Sequence, residues 1–488
     1  MNPLDRELFG AVKDNDVERL RKVLEEHTEI NINEYRYNDA TPLQMAAQLG
    51  DLPMCQFLVA RGADIDLCDA QGFPPVIHAA DCADDEASML VIQFFVGAGA
   101  LTVDYIGEHC LISAVVRQKV QLTKYLLEEL HVSADSRGAE EVPALMLAAG
   151  MGSLALCTLL LEHGATVDAQ DEEGSTPLAA AADSSRPDVA QLLLSHGASP
   201  THRNRKGSTP LHCVANRGDV ACGRLLVEAV RRQLPAAAGS ETPCSVHEYI
   251  NAPSECDGAT PLLLAVMRSH TEMAAFLLSE GADPTVFMPP RQGGFGLLHF
   301  CAQSGNAEMT RLLLGALPPA AQKAAPPGAA ASPAASTSVT STSVTSPSPA
   351  PSAAAAEAAP ADRRLSIVNA VDRQGMTPLT YACTGSRLEV ARLLLEAGAD
   401  VHTVDPTTGM GLLHQAVTAE APEMVRLLLA WGARHDLCDS EVGLNPIGWA
   451  EGAKERTAIV GVFHDFGLYP EVPLQDIPIV VEDACKRR

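Results

Sequence analysis

The chain has 488 residues, of which 47% are hydrophobic and only 4% aromatic, and its 35 basic and 61 acidic side chains give a formal charge of −26. This charge repels phosphate backbones and anionic lipid, so nucleic acid is excluded as an expected partner. The length exceeds one ordinary core, and an interior poor in aromatic rings must be built from Leu, Ala and Val, which favours several domains or a repeat array of closely packed helices.

The lack of recognisable targeting signals and the pattern of cysteines restrict the cellular compartment that we expect. The first residues, MNPLDRELFG, lack the apolar segment of a signal peptide, and no stretch approaches the roughly 18 to 20 apolar residues that cross a bilayer. The 13 cysteines occur singly, without a CxxC pair, a pattern that fits neither a disulfide framework nor a zinc ribbon. We therefore expect a soluble protein of a reducing compartment, cytoplasmic with the nucleus also possible, without membrane insertion.

The first predicted element is a pair of helices at the N-terminus. Ala11 and Val12 are small residues on the first helix, and the second helix follows in the stretch DVERLRKVLEEH. Its polar side chains, such as Arg21 and Glu25, suit the outer face of a terminal cap that must face water.

Beyond this pair the sequence is periodic. The tripeptide TPL begins at Thr41, Thr176, Thr209, Thr260 and Thr377. We place its proline position at Pro42, Pro75, Cys110, Ala144, Pro177, Pro210, Pro261, Leu297, Pro378, Leu412 and Pro446. Successive spacings lie between 33 and 36 residues except for two, of 51 and 81. A fixed period of this length predicts a stack of similar structural units.

Each unit contains the signals of two helices and a connecting arm. Threonine caps the first helix and proline at its first position loses no hydrogen bond. Small pairs such as Ala46 and Ala47 allow close helix contact, and a glycine such as Gly50 permits a tight turn. A second helix carries a leucine run, as at Leu193, and a glycine of a Gly-Ala pair ends it. The rest of the unit is typical of an extended hairpin.

With these residues the sequence resembles the ankyrin repeat family, whose signature is T-P-L-H-x-A. The resemblance implies an all-α fold with short β-hairpin arms, an ankyrin-repeat solenoid of about twelve helix-turn-helix units. Histidine occupies the signature position at His212, His299 and His414, and the resemblance implies that it braces the hairpin and the helix start.

Two long spacings and the tail divide the chain. We predict repeats 1 to 9, including the N-terminal cap, over residues 1–316, with an insertion at about 229–248. Residues 317–366 form a second insertion, rich in Ala, Pro, Ser and Thr and expected to be disordered. Repeats continue over 367–470 to a C-terminal cap, and 471–488 form a tail. One continuous solenoid is favoured, with two separate blocks as the alternative.

No sequence pattern supports catalysis. The chain lacks the phosphate-binding, nucleophile-elbow, zinc-protease and kinase signatures. His212, Cys213 and Cys222 lie close together, but they fall on repeat positions, so we interpret them as structural. Cys244, His247 and Cys256 have ligand-like spacing without a fourth ligand. We predict no catalytic residue, no metal site and no cofactor.

The predicted function is therefore that of a non-catalytic intracellular scaffold or adaptor that binds protein partners through its repeat surface. The alternative is a substrate-recruiting or regulatory subunit of a multiprotein enzyme such as a ubiquitin ligase. We expect the chain itself to be a monomer, and its sequence does not identify the partner.

Two candidate sites follow from local charge. One hairpin tip carries Glu172 and Glu173, and the tip one repeat later carries Arg203, Arg205 and Lys206, so an acidic and a basic tip are expected side by side as a partner-binding site. The second is Ser366 in the stretch RRLS, which resembles the substrate of a basophilic kinase at the end of the disordered insertion. Its phosphorylation would add about −1.5 to −2 charges.

Overall fold

A computed structural model describes residues 3–27, 29–100, 104–233, 245–289, 291, 293–317, 360–451 and 456–468. All regular elements in these ranges are helical. Contacts divide the chain into two compact units, residues 1–249 with 254–256 and residues 250–253 with 257–488. The predicted all-helical repeat architecture is confirmed in each of them.

The N-terminal unit consists of helices that pack in consecutive antiparallel pairs, each pair against the next. They are α1 (Pro3–Lys13), α2 (Val17–Glu26), α3 (Pro42–Leu49), α4 (Leu52–Ala60), α5 (Pro75–Ala80), α6 (Asp85–Gly97), α7 (Asp104–Val116), α8 (Val120–Glu128), α9 (Ala144–Met151), α10 (Leu154–Glu162), α11 (Pro177–Asp183), α12 (Pro187–Ser195), α13 (Pro210–Arg217) and α14 (Val220–Gln233). A short 3₁₀ turn, Ala139–Glu141, precedes α9.

The C-terminal unit repeats the same pairing. Its helices are α16 (Pro261–Met267), α17 (Thr271–Ser279), α18 (Leu297–Ser304), α19 (Ala307–Ala316), α20 (Pro360–Val368), α21 (Pro378–Thr384), α22 (Leu388–Glu396), α23 (Leu412–Thr418), α24 (Pro422–Ala430), α25 (Pro446–Glu451) and α26 (Arg456–Asp465). One further short helix, α15 (Val246–Ile250), crosses the division between the units.

The predicted proline positions mark the helix starts. All of them except Cys110 are the first residue of a helix. At four of the TPL sites the threonine hydroxyl accepts from the third following amide, at 3.2 Å for Thr41 and 3.3 Å for Thr377. Cys110 instead lies inside α7, which begins at Asp104, because no Thr-Pro pair fixes a start at that position.

The core of each repeat comes from the predicted small pairs and leucine runs. Ala46 and Ala47 on α3 are fully buried, as are Leu193 on α12 and Leu394 on α22. Truncating one such leucine to alanine typically costs about 2–5 kcal/mol, so these positions hold neighbouring repeats together.

The hairpin arms differ from the prediction. Among the described residues they contain isolated β-bridges, such as Tyr37 with Ala40 and Val404 with Gly411, and no strand. The tip turns explain this: Oδ1 of Asp69 accepts from the amides of Gln71 and Phe73, both at 2.9 Å. The carboxylate therefore accepts from backbone amides that a longer β-ladder would need for its own hydrogen bonds.

The first predicted insertion, residues 229–248, overlaps two helices. α14 continues to Gln233 because Val227 and Val230 stay buried on its apolar face, and α15 starts at Val246. Residues 229–233 and 246–248 are therefore helical, and residues 234–244 lie outside the described part of the chain.

The second predicted insertion, residues 317–366, overlaps α20 at its C-terminal end. Residues 318–359 lie outside the described part, but 360–366 belong to α20 and not to a disordered segment. Burial of Ile367 and Val368 stabilises this helix. α18 packs on α21 across the gap in sequence, and the amide of Arg373 donates to the carbonyl of Gly293 at 2.8 Å.

The C-terminal end of the described chain is the α25–α26 pair. Ile459 and Phe463 on α26 are fully buried. The predicted tail, residues 471–488, lies outside the described residues. No helix within the described ranges has both the length and the apolar character needed to cross a bilayer.

Candidate interaction surface

In each unit the hairpin tips and the first helices lie together, and we call the surface that they form the tip face. The side chain that follows the signature histidine position contacts the tip aspartate in three repeats. Nε2 of His78 lies 3.1 Å from Oδ2 of Asp69, and the Tyr381 hydroxyl donates to Oδ2 of Asp372 at 2.6 Å. In these three repeats the first helix therefore fixes the tip that precedes it.

The third contact joins Trp449 to Asp439, where the indole Nε1–H donates to Oδ2 at 2.8 Å. Burial alone would raise the pKa of Asp439, but the hydrogen bonds from Trp449 and from the amides of Val442, Leu444 and Glu441 outweigh it and lower the pKa to about 2. The carboxylate therefore stays ionised and its tip stays ordered at neutral pH.

The signature histidines connect neighbouring repeats. Nδ1 of His299 accepts from the amide of Gly296 at 3.1 Å, so its ring carries the proton on Nε2, which faces the carbonyl of Met376 at 3.2 Å. His414 repeats both contacts with Gly411 and Leu444. His212 likewise accepts from the amide of Thr209 at 3.1 Å, the bracing role that the sequence resemblance implied.

The predicted acidic and basic tips do lie side by side. Lys206 and Glu173 form an ion pair at 2.9 Å, and the amide of Arg205 donates to the carbonyl of Glu173 at 2.9 Å. Nε of Arg203 donates to the carbonyl of Gly207 at 3.1 Å. The side chains of these residues and of Glu172 are exposed, so all five predicted residues are accessible while two of them partly neutralise each other.

The thiols that drew attention in the sequence are poorly suited to chemistry. Cys222 is fully buried, as a packing residue should be, whereas Cys213 is half-buried on the first-helix face. Burial, reinforced by the Asp183 charge, raises the pKa of Cys213 to about 11. No group of three or more metal-ligating side chains occurs among the described residues, and Cys244 lies outside them.

Comparison with known proteins gives the family. A family model of ankyrin repeats matches residues 8–93, 111–204, 196–288, 234–323 and 354–439, most of the chain. The chain belongs to the ankyrin repeat family. Among curated proteins, a cyclin-dependent kinase 4 inhibitor B of Rattus norvegicus is 36% identical over 88 residues, 18% of this chain. The chain covers 66% of that relative, slightly less than two thirds of its length.

The ankyrin repeats of the N-terminal unit have a polar tip face. Asp81 pairs with Arg117 at 3.1 Å, and Asp183 pairs with Arg217 at 2.7 Å, each pair joining successive first helices. These exposed pairs are worth little in stability, about 0–1 kcal/mol. In this part of the tip face, acidic and basic side chains therefore lie together and pair with one another.

The ankyrin repeats of the C-terminal unit have a different tip face, which the sequence reasoning missed. The rings of Phe295, Phe300 and Tyr381 cluster there, with Phe295 5.4 Å from Phe300 and 5.6 Å from Tyr381 between centroids. All three remain partly exposed. The signal was available in the stretch FMPPRQGGFGLLHF, which holds three of the chain's 11 phenylalanines.

Ser366 lies in the last turn of α20, not in an extended segment. Its hydroxyl is exposed and donates to the carbonyl of Arg363 at 2.7 Å. The predicted phosphorylation site is therefore accessible, but it is held in a helix next to the buried Ile367 and Val368.

Proposed function

We propose that this ankyrin repeat protein is a non-catalytic, cytoplasmic scaffold or adaptor that binds protein partners through its tip face. Family membership supports a protein-interaction role. The observation that carries the finer proposal is the tip face itself, where partly buried hydrogen bonds fix the geometry of the loops while their outer side chains stay exposed. Such a surface recognises a partner without a catalytic pocket.

A regulatory subunit is the second candidate. The similar rat protein is named as an inhibitor of cyclin-dependent kinase 4, an enzyme. This likeness supports an alternative in which the chain recruits substrates to, or regulates, a multiprotein enzyme. Affinity purification from native cells distinguishes the two, because only the second predicts stoichiometric recovery of enzyme subunits.

The basic tip of the N-terminal unit offers a direct test of partner binding. Residues 199–208 carry Arg203, Arg205 and Lys206 and no acidic side chain, in a chain of net charge −26. Reversing Arg203 and Arg205 to glutamate is expected to weaken capture of an acidic partner by about tenfold or more, the usual effect of like charges at an interface. Quantitative affinity purification measures the change.

The same double variant should unfold like the wild type, because exposed charges contribute little to stability. The matched control is Arg137→Glu on another tip of the same unit. If the partners of the double variant and the wild type are recovered equally, the basic tip is not a binding site.

Phosphorylation of Ser366 forms a separate proposal. A basophilic kinase needs an extended substrate, so we expect slow labelling of the folded chain and faster labelling of a variant in which Ile367→Ser and Val368→Ser loosen α20. Mass spectrometry after kinase treatment measures both rates. A labelling rate that the double substitution leaves unchanged would show that α20 does not protect Ser366.

A further inference from the structure

Aromatic side chains concentrate on the tip face of the C-terminal unit. Phe295 contacts Phe300, Tyr381 and His299, with ring centroids 5.4, 5.6 and 5.7 Å apart. Only 4% of the chain is aromatic. A cluster that is partly exposed in such a chain is unlike its core, which is built from leucine and alanine.

An unusually long tip builds this cluster. α17 ends at Ser279 and α18 begins at Leu297, and between them Gly293 and Gly294 adopt φ values of 103° and 68°, which favour glycine and turn the loop back onto the helices. At Gly296 a Cβ atom would lie 2.7 Å from the Phe287 ring. Glycine at this position therefore lets Phe287 lie against the start of α18, beside Phe295.

The exposed charges on the two tips beside the cluster are positive. The two tips carry one aspartate each, but Asp283 accepts from the amide and hydroxyl of Thr285, and Asp372 is buried and accepts from Tyr381 and two amides. Arg291 and Arg373, in contrast, are exposed, and no ion pair to either occurs among the described residues. Two exposed arginines thus belong to the same tips as the aromatic cluster.

We propose that Phe287, Phe295, Phe300, Tyr381, Arg291 and Arg373 bind an acidic peptide segment of a partner protein, with an aromatic or large aliphatic anchor beside its carboxylates. We call these residues the aromatic–arginine surface. The inference rests on the proposed interaction function and names the partner chemistry of one part of the tip face. The anchor packs on the exposed ring faces and the carboxylates pair with the two guanidinium groups.

The charge pattern selects this partner over a basic one. Asp372 is buried and both of its carboxylate oxygens accept intrachain hydrogen bonds, and Oδ1 of the partly buried Asp283 accepts two, so a basic peptide would meet two exposed arginines before either carboxylate. Aromatic and arginine side chains are also those that most often dominate binding energies at protein interfaces.

The test is selection of binders from a random peptide display library on the immobilised full chain. We expect enriched peptides that combine Asp or Glu with Trp, Phe or Leu. For a fluorescein-labelled peptide made from the enriched sequence, Arg373→Glu and Phe300→Ala should each raise Kd by about tenfold or more in fluorescence anisotropy. Arg392→Glu, at an exposed position on the second helix α22 of the same unit, is the matched control and should leave Kd unchanged.

Thermal unfolding followed by circular dichroism shows whether each variant folds. Arg373 is an exposed tip residue, so its variant keeps the test decisive even if Phe300→Ala is destabilised. Enriched peptides that are basic, or that lose affinity with Arg392→Glu and not with Arg373→Glu, would overturn this inference while leaving the interaction function intact. Absence of any enriched peptide would overturn it as well, whereas the interaction function is judged by capture of whole proteins from cells.

Discussion

Replacement of Asp372 by alanine is expected to lower the free energy of unfolding of the C-terminal unit by about 3 kcal/mol. The carboxylate is buried and accepts hydrogen bonds from the Tyr381 hydroxyl at 2.6 Å and from the amides of Gln374 and Met376 at 2.8 and 2.9 Å. Each such bond is worth about 1 kcal/mol net, and the donors left behind lose their acceptor. Urea denaturation monitored by circular dichroism measures the loss.

The matched control is Tyr381→Phe, which removes one of the three hydrogen bonds and keeps the ring in the aromatic cluster. Its expected cost is about 1 kcal/mol. Hydrogen exchange of the Gln374 and Met376 amides should accelerate in Asp372→Ala and stay slow in Tyr381→Phe. An alanine variant no less stable than the phenylalanine variant would show that the carboxylate does not organise the tip.

Replacement of His299 by alanine is expected to cost about 2 kcal/mol, because it removes the bond to the Gly296 amide and the bond to the Met376 carbonyl of the next repeat. Glutamine should be close to neutral. Gln44 occupies the same position in α3, accepts from the amide of Thr41 at 2.7 Å and donates to the carbonyl of Leu67 at 2.9 Å. The chain itself therefore supplies the conservative replacement.

The two signature histidines of the C-terminal unit, His299 and His414, also predict a pH dependence. Burial lowers the pKa of His299 and of His414 below the ordinary value of 6.5, and carbonyl contacts only partly oppose it. The unfolded chain then takes up protons before the folded one does. Their contribution to stability is complete above pH 6.5 and declines as the pH falls through 6.5 toward the folded pKa.

Comparison of the wild type with a variant that lacks both histidines isolates this effect. We expect the double variant His299→Gln, His414→Gln to lose less unfolding free energy than the wild type between pH 8 and pH 5, in urea denaturation at each pH. The carboxylate of Asp439 titrates below this interval, because its pKa is about 2. Parallel pH profiles for the wild type and the double variant would contradict the assignment.

Local signals made the repeats predictable. Thr-Pro pairs act on their own helix start, so Pro42 and Pro210 could be placed to the residue from the sequence. Cys110 could not, because its unit lacks that pair and α7 begins six residues earlier. α20 was missed for a different reason: it adjoins a segment rich in Ala, Pro, Ser and Thr, and the burial of Ile367 and Val368 depends on tertiary packing that a local pattern does not reveal.

The tip face was only partly predictable. The side-by-side arrangement of Glu173 and Lys206 follows from the repeat period alone. The contact of Tyr381 with Phe295, in contrast, joins residues separated by a long insertion, and its geometry depends on how the long tip folds back at Gly293 and Gly294. Composition showed that aromatic residues were scarce but could not show where they met.

The packing of α18 on α21 has a consequence for residues 318–359. Leu317 and Arg364, close to the two ends of this segment, line the same open cavity, so both ends are anchored at nearly one place on the C-terminal unit. Contour length alone, at roughly 3.3–3.6 Å per residue, keeps the midpoint within about 75 Å of that place. A ligand bound anywhere on this segment would therefore stay within that distance of the C-terminal unit, at an effective concentration that the length of the chain sets.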